Sequence, residues 1–302
     1  MQKSTALAWD DLRFALSLSR AGSLAGAART LGVDHTTVGR RIEAAEQALG
    51  VRLFTRSRLG YALTQDGERL FAPLRAVEEA VLSLRRAVDA ETGGLTGLVR
   101  VTSPETFGVA WLAPRLAAFG AQHPGLTVEL TPSGKVLDLG RGEAEIAVRF
   151  FRSRSQNLVA QRAAEVRYGL YGSHTYLARP PEIGPDTLAA HPLLLPPATP
   201  PSVEGRWLAR WARGAGVSFV SELSVALLAA AKAGAGLAPL PCYLADAEPS
   251  LMRVPMPDPP AETLWLTVHQ DVRTTPRVRA LLQFLLAELK ADRAQLRGER
   301  VG

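Results

Sequence analysis

Three glycines, at positions 22, 32 and 50, cut the first fifty residues into segments that fit only small helices joined by tight turns. "WDDLRFALSLSRAGS" sets Leu12, Ala15, Leu16 and Ser19 on a helical period that Gly22 ends. Ser23 is placed to cap "LAGAARTLGV", whose alanines let helices approach closely before Gly32 stops it. Asp34 caps a third helix, its carboxylate facing free backbone N–H groups and favoured by the helix dipole. There Val38, Ile42, Ala45 and Leu49 fall at i, i+4, i+7 and i+11, one buried stripe that Gly50 closes. Thr36 and Arg40 lie opposite that stripe, Thr37 and Gly39 flank it, and His35 stands near its edge at the helix tip.

The turn "GVDH" thus joins two small helices, the second basic near its start, with Arg40 and Arg41 side by side. This is a helix-turn-helix pattern, in which the second helix enters the DNA major groove by its N-terminal residues. His35 and Thr36 can donate to or accept from base edges, and Arg40 can grip guanine or a phosphate. Gly39 lets the DNA approach closely, and Thr37 and Arg41 complete the candidate set. An ordinary solvated face of a small helical domain would carry the same residue types. Beyond it, "VRLFTRSRLGYALTQDGERLF" offers a short β-ribbon turning at 58–60 and bearing Arg52, Arg56 and Arg58. A basic ribbon behind a recognition helix can hold the phosphate backbone as a wing.

With those motifs in place, the stretch from Trp9 to Leu70 resembles the winged helix-turn-helix of the LysR-type transcriptional regulators. "FALSLSRAGSLAGAARTLGV", "TTVGRRIEAAEQALGVRLFTR" and "LTQDGERL" follow in that family's order and spacing. The resemblance implies that His35, Thr36, Gly39 and Arg40 face the bases and that the wing and Arg56 sit at phosphates. Gly39 departs from the family, where serine is common, and removes one base contact.

Charge is unevenly placed. Residues 1–60 hold nine Lys and Arg against five Asp and Glu, whereas 65–92 hold four against six. A net charge of +6 suits a polyanion partner without establishing one. The single cysteine, Cys242, excludes an internal disulfide and fits a reducing compartment. With no apolar leader and no apolar run of membrane-spanning length, the expectation is a cytoplasmic protein with no membrane association.

From 65 to 92 the chain suits one long linker helix. Leu70, Leu74, Val77, Val81, Leu84 and Val88 step by 4, 3, 4, 3 and 4, the seam of a coiled coil. A helix packed on its own domain would show part of this pattern, but the strict alternation favours a partner helix and a homodimer. Two-fold pairing would also suit recognition of half-sites about one DNA turn apart. "ETGGLTG", 91–97, is a hinge.

Past the hinge, strands ("LVRVT", "LTVELT", "AEIAVRF", "VRYGLYG", "VSFV", "GLAPL", "TLWLTVH") alternate with helical stretches, which implies α/β units with mainly parallel sheets. This region resembles the LysR-type effector-binding domain. The resemblance implies a periplasmic-binding-protein-like fold of two α/β subdomains, about 98–161 with 268–291 and about 162–267. The cleft of such a fold lies at strand C-terminal ends and helix N-termini. Thr102, Ser103 and Thr106 should face it, with Thr131, Ser133, Ser221 and Glu222. Arg149 could add a cation for a carboxylate. Ser103 and Ser221 are equally suited to be helix caps, and Arg149 to be the partner of a local acid. A small organic acid is what the family leads one to expect.

Enzyme chemistry finds no footing. None of His35, His123, His174, His191 and His269 pairs with another His or Cys at ligand spacing, so no metal is indicated. "TPSGK", 131–135, lacks the rest of a phosphate loop, and "KAGAGLAP" suits a helix end, so no cofactor is expected. Cys242 has no charged residue adjacent and suits a buried structural thiol.

The sequence therefore describes a multidomain α/β protein. It comprises a winged helix-turn-helix (1–64), a linker and dimerisation helix (65–92) and an effector-binding domain (93–302). The expected function is sequence-specific, small-molecule-responsive transcriptional regulation by a dimer or tetramer on double-stranded DNA, with RNA polymerase a possible partner. A DNA-bound constitutive repressor or architectural protein with a vestigial cleft is the alternative.

Overall fold

The computed structural model describes residues 7–57, 60–91 and 95–299, those at 79 and 82–91 by their backbone only. The chain forms two compact units that divide at Arg85/Arg86.

The first unit opens with three helices, α1 (Trp9–Ala21), α2 (Leu24–Leu31) and α3 (His35–Leu49). Each is followed by a glycine in the left-handed region, Gly22, Gly32 and Gly50, which is why each helix stops where it does. Ser23 Oγ accepts from Gly26 N at 3.1 Å and Asp34 Oδ1 from Thr36 N at 2.8 Å, so both expected caps are formed. Phe14, Leu16 and Leu18 of α1, Ala27 of α2 and Val38, Ile42 and Ala45 of α3 share one core. The ribbon follows as β1 (Phe54–Ser57) antiparallel to β2 (Gly60–Leu63).

Two contacts fix the ribbon. Buried Glu46 of α3 accepts from the Leu53 amide at 2.7 Å and the Phe54 amide at 3.2 Å. On the other side Tyr61 N donates to Gly22 O at 2.8 Å. A Cβ on Gly60 would lie 2.3 Å from that same oxygen, so only glycine permits the approach. Thr64 Oγ1 then accepts from Gly67 N at 2.9 Å, opening the long helix α4 (Gln65–Glu91).

The expected seam on α4 divides. Leu74, 8% exposed, and half-buried Leu70 pack into the core of their own unit beside Phe71, whereas Val77 is 47% exposed and Val81 is exposed too. Leu70 and Leu74 are therefore corrected from partner-facing to core positions, because α4 starts against α1 and α3 before it emerges. The side chains of Leu84 and Val88 lie outside the described residues, as do residues 92–94 of the hinge.

In the second unit, β3 (Gly97–Ser103) leads through α5 (Glu105–Phe107) and a π-helical turn (Gly108–Leu112) into α6 (Ala113–Gln122). Next come β4 (Leu126–Pro132), β5 (Ile146–Arg149) and β6 (Leu158–Ser173). After α7 (His174–Leu177) come β7 (Leu193–Leu195), α8 (Val203–Leu208), β8 (Val217–Val220), α9 (Ser224–Lys232) and β9 (Ala238–Pro241). The chain ends with α10 (Cys242–Ala245), β10 (Leu251–Val254), β11 (Ala261–His269), α11 (Pro276–Ala291) and α12 (Arg293–Leu296).

Strand order is β10-β6-β11-β5-β3-β4, with β9 also on β6, and β7-β8 form a separate pair. The long strand β6 belongs to both halves. Residues 158–167 pair with β11, and residues 168–173 pair with β9 and β10. The pairing partners of β6 thus change at 167/168, and β11 begins at Ala261. The strand runs through without a turn, so no break in the sequence marks the change. The sheet is also mixed rather than mainly parallel: β3 is parallel to β4 and β5, but β6 and β11 run antiparallel to their neighbours. No helix among the described residues is long and apolar enough to cross a membrane.

Candidate functional site

The first candidate site is the exposed face of α3 with the ribbon beside it. His35, Thr36 and Arg40 are exposed, and Thr37 and Gly39 are half-buried. Thr36 is held in place: its hydroxyl donates to Asp34 Oδ1 at 2.6 Å, and that bond with its amide counterpart keeps the Asp34 carboxyl below its ordinary range. With its proton engaged, Thr36 offers lone pairs and a methyl group outward. His35 Nδ1 lies 3.6 Å from the second Asp34 oxygen. Nothing crowds Gly39, where an added Cβ would meet only Leu24 Cδ1 at 4.0 Å.

The two adjacent arginines part company. Arg40 projects outward and makes no ion pair among the described residues. Arg41 turns onto α1, where Nη1 bonds Asp11 Oδ1 at 3.0 Å and the guanidinium lies 5.9 Å from the Phe14 ring centre. A helix turns about 100° per residue, so neighbours cannot share a face. Arg41 is accordingly corrected from the outward set to a strut between α3 and α1. Arg52 is exposed but bonds buried Glu46 at 2.9 Å, so it both anchors the ribbon and offers charge. Arg56 is exposed on β1 opposite Tyr61. Arg58 lies outside the described residues. Glu46, unmarked in the sequence as anything but a charge on a helix, is the residue that joins the ribbon to α3.

The second candidate site lies where β3, β4 and β5 end. Thr102 and Ser103 are both 0% exposed and Arg149 is 6% exposed. Arg149 donates to Thr102 Oγ1 at 2.9 Å, to Lys135 O at 3.0 Å and to Val148 O at 3.2 Å. Burial pushes its guanidinium below its ordinary value, and nearby Glu105 opposes the shift. Ser103 Oγ donates to its neighbour Pro104 O at 3.1 Å, and an added Cβ on Gly108 would meet that hydroxyl oxygen at 2.4 Å. Thr102, Ser103 and Arg149 are therefore bonded internally, against the expectation that they face a ligand.

Glu105 escapes the sequence reading, although an acid in the first turn after a strand is visible there. It accepts from Gly134 N at 2.7 Å and so ties the β3 and β4 ends together. Thr106 and Ser133 remain half-buried and Thr131 exposed on the same rim. Ser221 does not open α9, which starts at Ser224; its hydroxyl accepts from Leu223 N at 3.1 Å, and its neighbour Glu222 is exposed. Cys242 is buried. Among the described residues no group of three or more His, Cys, Asp or Glu side chains is arranged to hold a metal.

Residues 9–68 match the family profile described as "Bacterial regulatory helix-turn-helix protein, lysR family", and residues 92–290 match "LysR substrate binding domain". An HTH-type transcriptional regulator of Xanthomonas campestris pv. campestris is 33% identical over 56% of this chain and 50% of its own length. The Mau operon transcriptional activator of Paracoccus denitrificans is 32% identical over 54% of this chain and 57% of its own. The chain thus spans about half the length of these curated relatives. The glycine cleavage system transcriptional activator of Escherichia coli K12 is 23% identical over 91% of this chain and 92% of its own. Among solved structures, the full-length virulence activator AphB of Vibrio cholerae superposes with a TM-score of 0.59 at 22% identity, covering 92% of this chain and 98% of that one. CrgA, a LysR-type transcriptional regulator from Neisseria meningitidis, gives 0.57 at 24% identity, covering 93% of this chain and 98% of that one. At such identities the likeness is one of fold.

Proposed function

We propose, from the premise that this chain belongs to the LysR family of bacterial helix-turn-helix regulators, that it is a transcriptional regulator binding an inverted-repeat operator in the cytoplasm and answering to a small molecule. One observation carries the DNA half: α3 displays Thr36 and Arg40 outward, next to a ribbon anchored by Glu46 and bearing Arg52 and Arg56. His35, Thr36, Gly39 and Arg40 contact base edges, and Arg52, Arg56 and Arg58 the phosphates.

Two surfaces support assembly. Val77 and Val81 stand exposed on α4, beside an apolar groove of about 150 Å³ lined by Leu12, Leu49, Leu74 and Val77, and continue in sequence to Leu84 and Val88. In the second unit, edge strand β8 exposes Val217, Phe219 and Val220. Apolar exposure on an edge strand is a pairing surface. Two separate surfaces on each chain suit a dimer that can go on to a tetramer.

The effector binds at the rim formed by Thr106, Thr131 and Ser133, with Ser221 and Glu222 as further contacts. With Arg149 already bonded, Lys135, exposed in the same turn, offers a cation for an organic acid. The effector regulates by binding one arrangement of the assembly better than another. RNA polymerase is then helped or hindered according to where the operator lies.

Footprinting the DNA upstream of the protein's own gene, against random DNA at one moderate salt concentration, tests this. A protected inverted repeat supports it. Equal binding to both, falling steeply with salt, would favour an architectural protein, a reading in which the closed arrangement of Thr102, Ser103 and Arg149 is permanent.

A further inference from the structure

We infer that Glu43 is a specificity-determining residue of the DNA interface, its carboxylate accepting from an exocyclic base amine in the major groove, cytosine N4 ahead of adenine N6. The inference rests on α3 being the helix that enters that groove. Thr36, Arg40 and Glu43 are exposed at i, i+4 and i+7, opposite the buried stripe of Val38, Ile42 and Ala45. Glu43 is thus the next outward position after Arg40.

It also stands where two grooves between α3 and the ribbon meet. One, of about 290 Å³, is walled by Gly39, Arg56 and Tyr61; the other, of about 360 Å³, by Gln47, Gly50 and Val51. Glu43, Glu46 and Arg52 line both. The Glu46 carboxylate is taken by two amides and by Arg52, which occupies the nearer cation as well. Glu43 has no hydrogen-bond or ion-pair partner among the described residues.

A bare carboxylate on this face is repelled by phosphates and weakens binding to every sequence. It gains only opposite a donor, and in the major groove the donors are the amines of cytosine and adenine; guanine O6 and N7 and thymine O4 are rejected. Arg40, one turn away, suits the guanine acceptors. The helix therefore presents a donor and an acceptor in succession. Because repulsion acts on all DNA and the amine contact only on the matched site, Glu43 widens the gap between specific and random binding.

The test selects duplexes from a pool randomised over about 30 base pairs, long enough for two half-sites. Full-length wild type, E43A, E43Q and R40A are compared at one salt concentration, and each selected pool is sequenced. Wild type should show one position per half-site with a roughly ten- to hundredfold preference for cytosine or adenine, falling below about threefold in E43A. E43Q should move that position toward adenine, since glutamine pairs with adenine N6 and N7. Affinity of E43A for random DNA should rise a few-fold. Pools of E43A and E43Q identical to wild type at every position would overturn the inference, whether or not random binding rises. If R40A changes its own position while the Glu43 variants change none, only this inference falls. If R40A also changes nothing, α3 is not the reading helix and the wider proposal fails with it.

Discussion

Arg41 of α3 bonds Asp11 of α1 at 3.0 Å, while its neighbour Arg40 is exposed with no ion-pair partner among the described residues. Two arginines that read alike in the sequence thus have separable roles. Arg40→Ala should lose roughly 1–3 kcal/mol of binding to a selected operator if it reads guanine, with thermal stability unchanged. Arg41→Ala should leave base preference intact and lower stability by up to about 1 kcal/mol, the range of a partly exposed pair. Binding titrations and thermal melts on both variants separate the roles, and a base-preference change in Arg41→Ala would contradict the assignment.

Gly39→Ser should fold as wild type. Its φ is not in the left-handed region, and a Cβ meets only Leu24 Cδ1 at 4.0 Å. The added hydroxyl restores a group that the family often carries at this position, and it should change base preference in the half-site without lowering the melting temperature. An unchanged selected sequence would show that Gly39 does not approach the bases.

Val77→Asp should break the α4 pairing and Val220→Asp the β8 surface, each by placing a charge in an apolar contact. Sedimentation should show a smaller assembly in each case, with the double variant monomeric. Wild-type sedimentation of both single variants would refute the two surfaces. Leu74→Asp is a poor probe by comparison, because Leu74 belongs to the core of its own unit and its loss would unfold that unit.

Cys242 should resist thiol reagents in the native protein. Burial pushes its thiol up, and the Tyr171 hydroxyl opposes the shift only in part. Gly298, in the left-handed region, passes so close that an added Cβ would lie 2.6 Å from Cys242 Sγ. Labelling at neutral pH should therefore wait on unfolding. Fast stoichiometric labelling of folded protein would contradict this.

Legibility in the sequence varies along the chain. The first sixty residues are legible because Gly22, Gly32 and Gly50 punctuate short helices, and the stripe from Val38 to Leu49 has a single interpretation. The inward turn of Arg41 is not, since Asp11 lies thirty positions away and only packing brings the two together. Leu70 and Leu74 obey the same repeat as Val77 and Val81, yet the repeat cannot say where a helix leaves its own domain. In the second unit, β7 (Leu193–Leu195) and β10 (Leu251–Val254) are too short to show alternation and go unmarked. The run from Leu158 to Ser173 declares itself only at its later, more apolar end. Arg149 illustrates a general limit. A cation at the end of a strand looks ready for a ligand until Thr102 Oγ1 and Lys135 O are found already bonded to it.

The central claim is that α3 reads sequence and does not merely hold charge. The most direct test is the affinity of the full-length protein for a selected inverted-repeat duplex and for its scrambled counterpart, across a range of salt. The account predicts a preference of about 10³ or more for the repeat, persisting as salt weakens both, and cut roughly five- to 150-fold in Arg40→Ala. Equal affinities at every salt concentration, with Arg40→Ala lowering both alike, would contradict it.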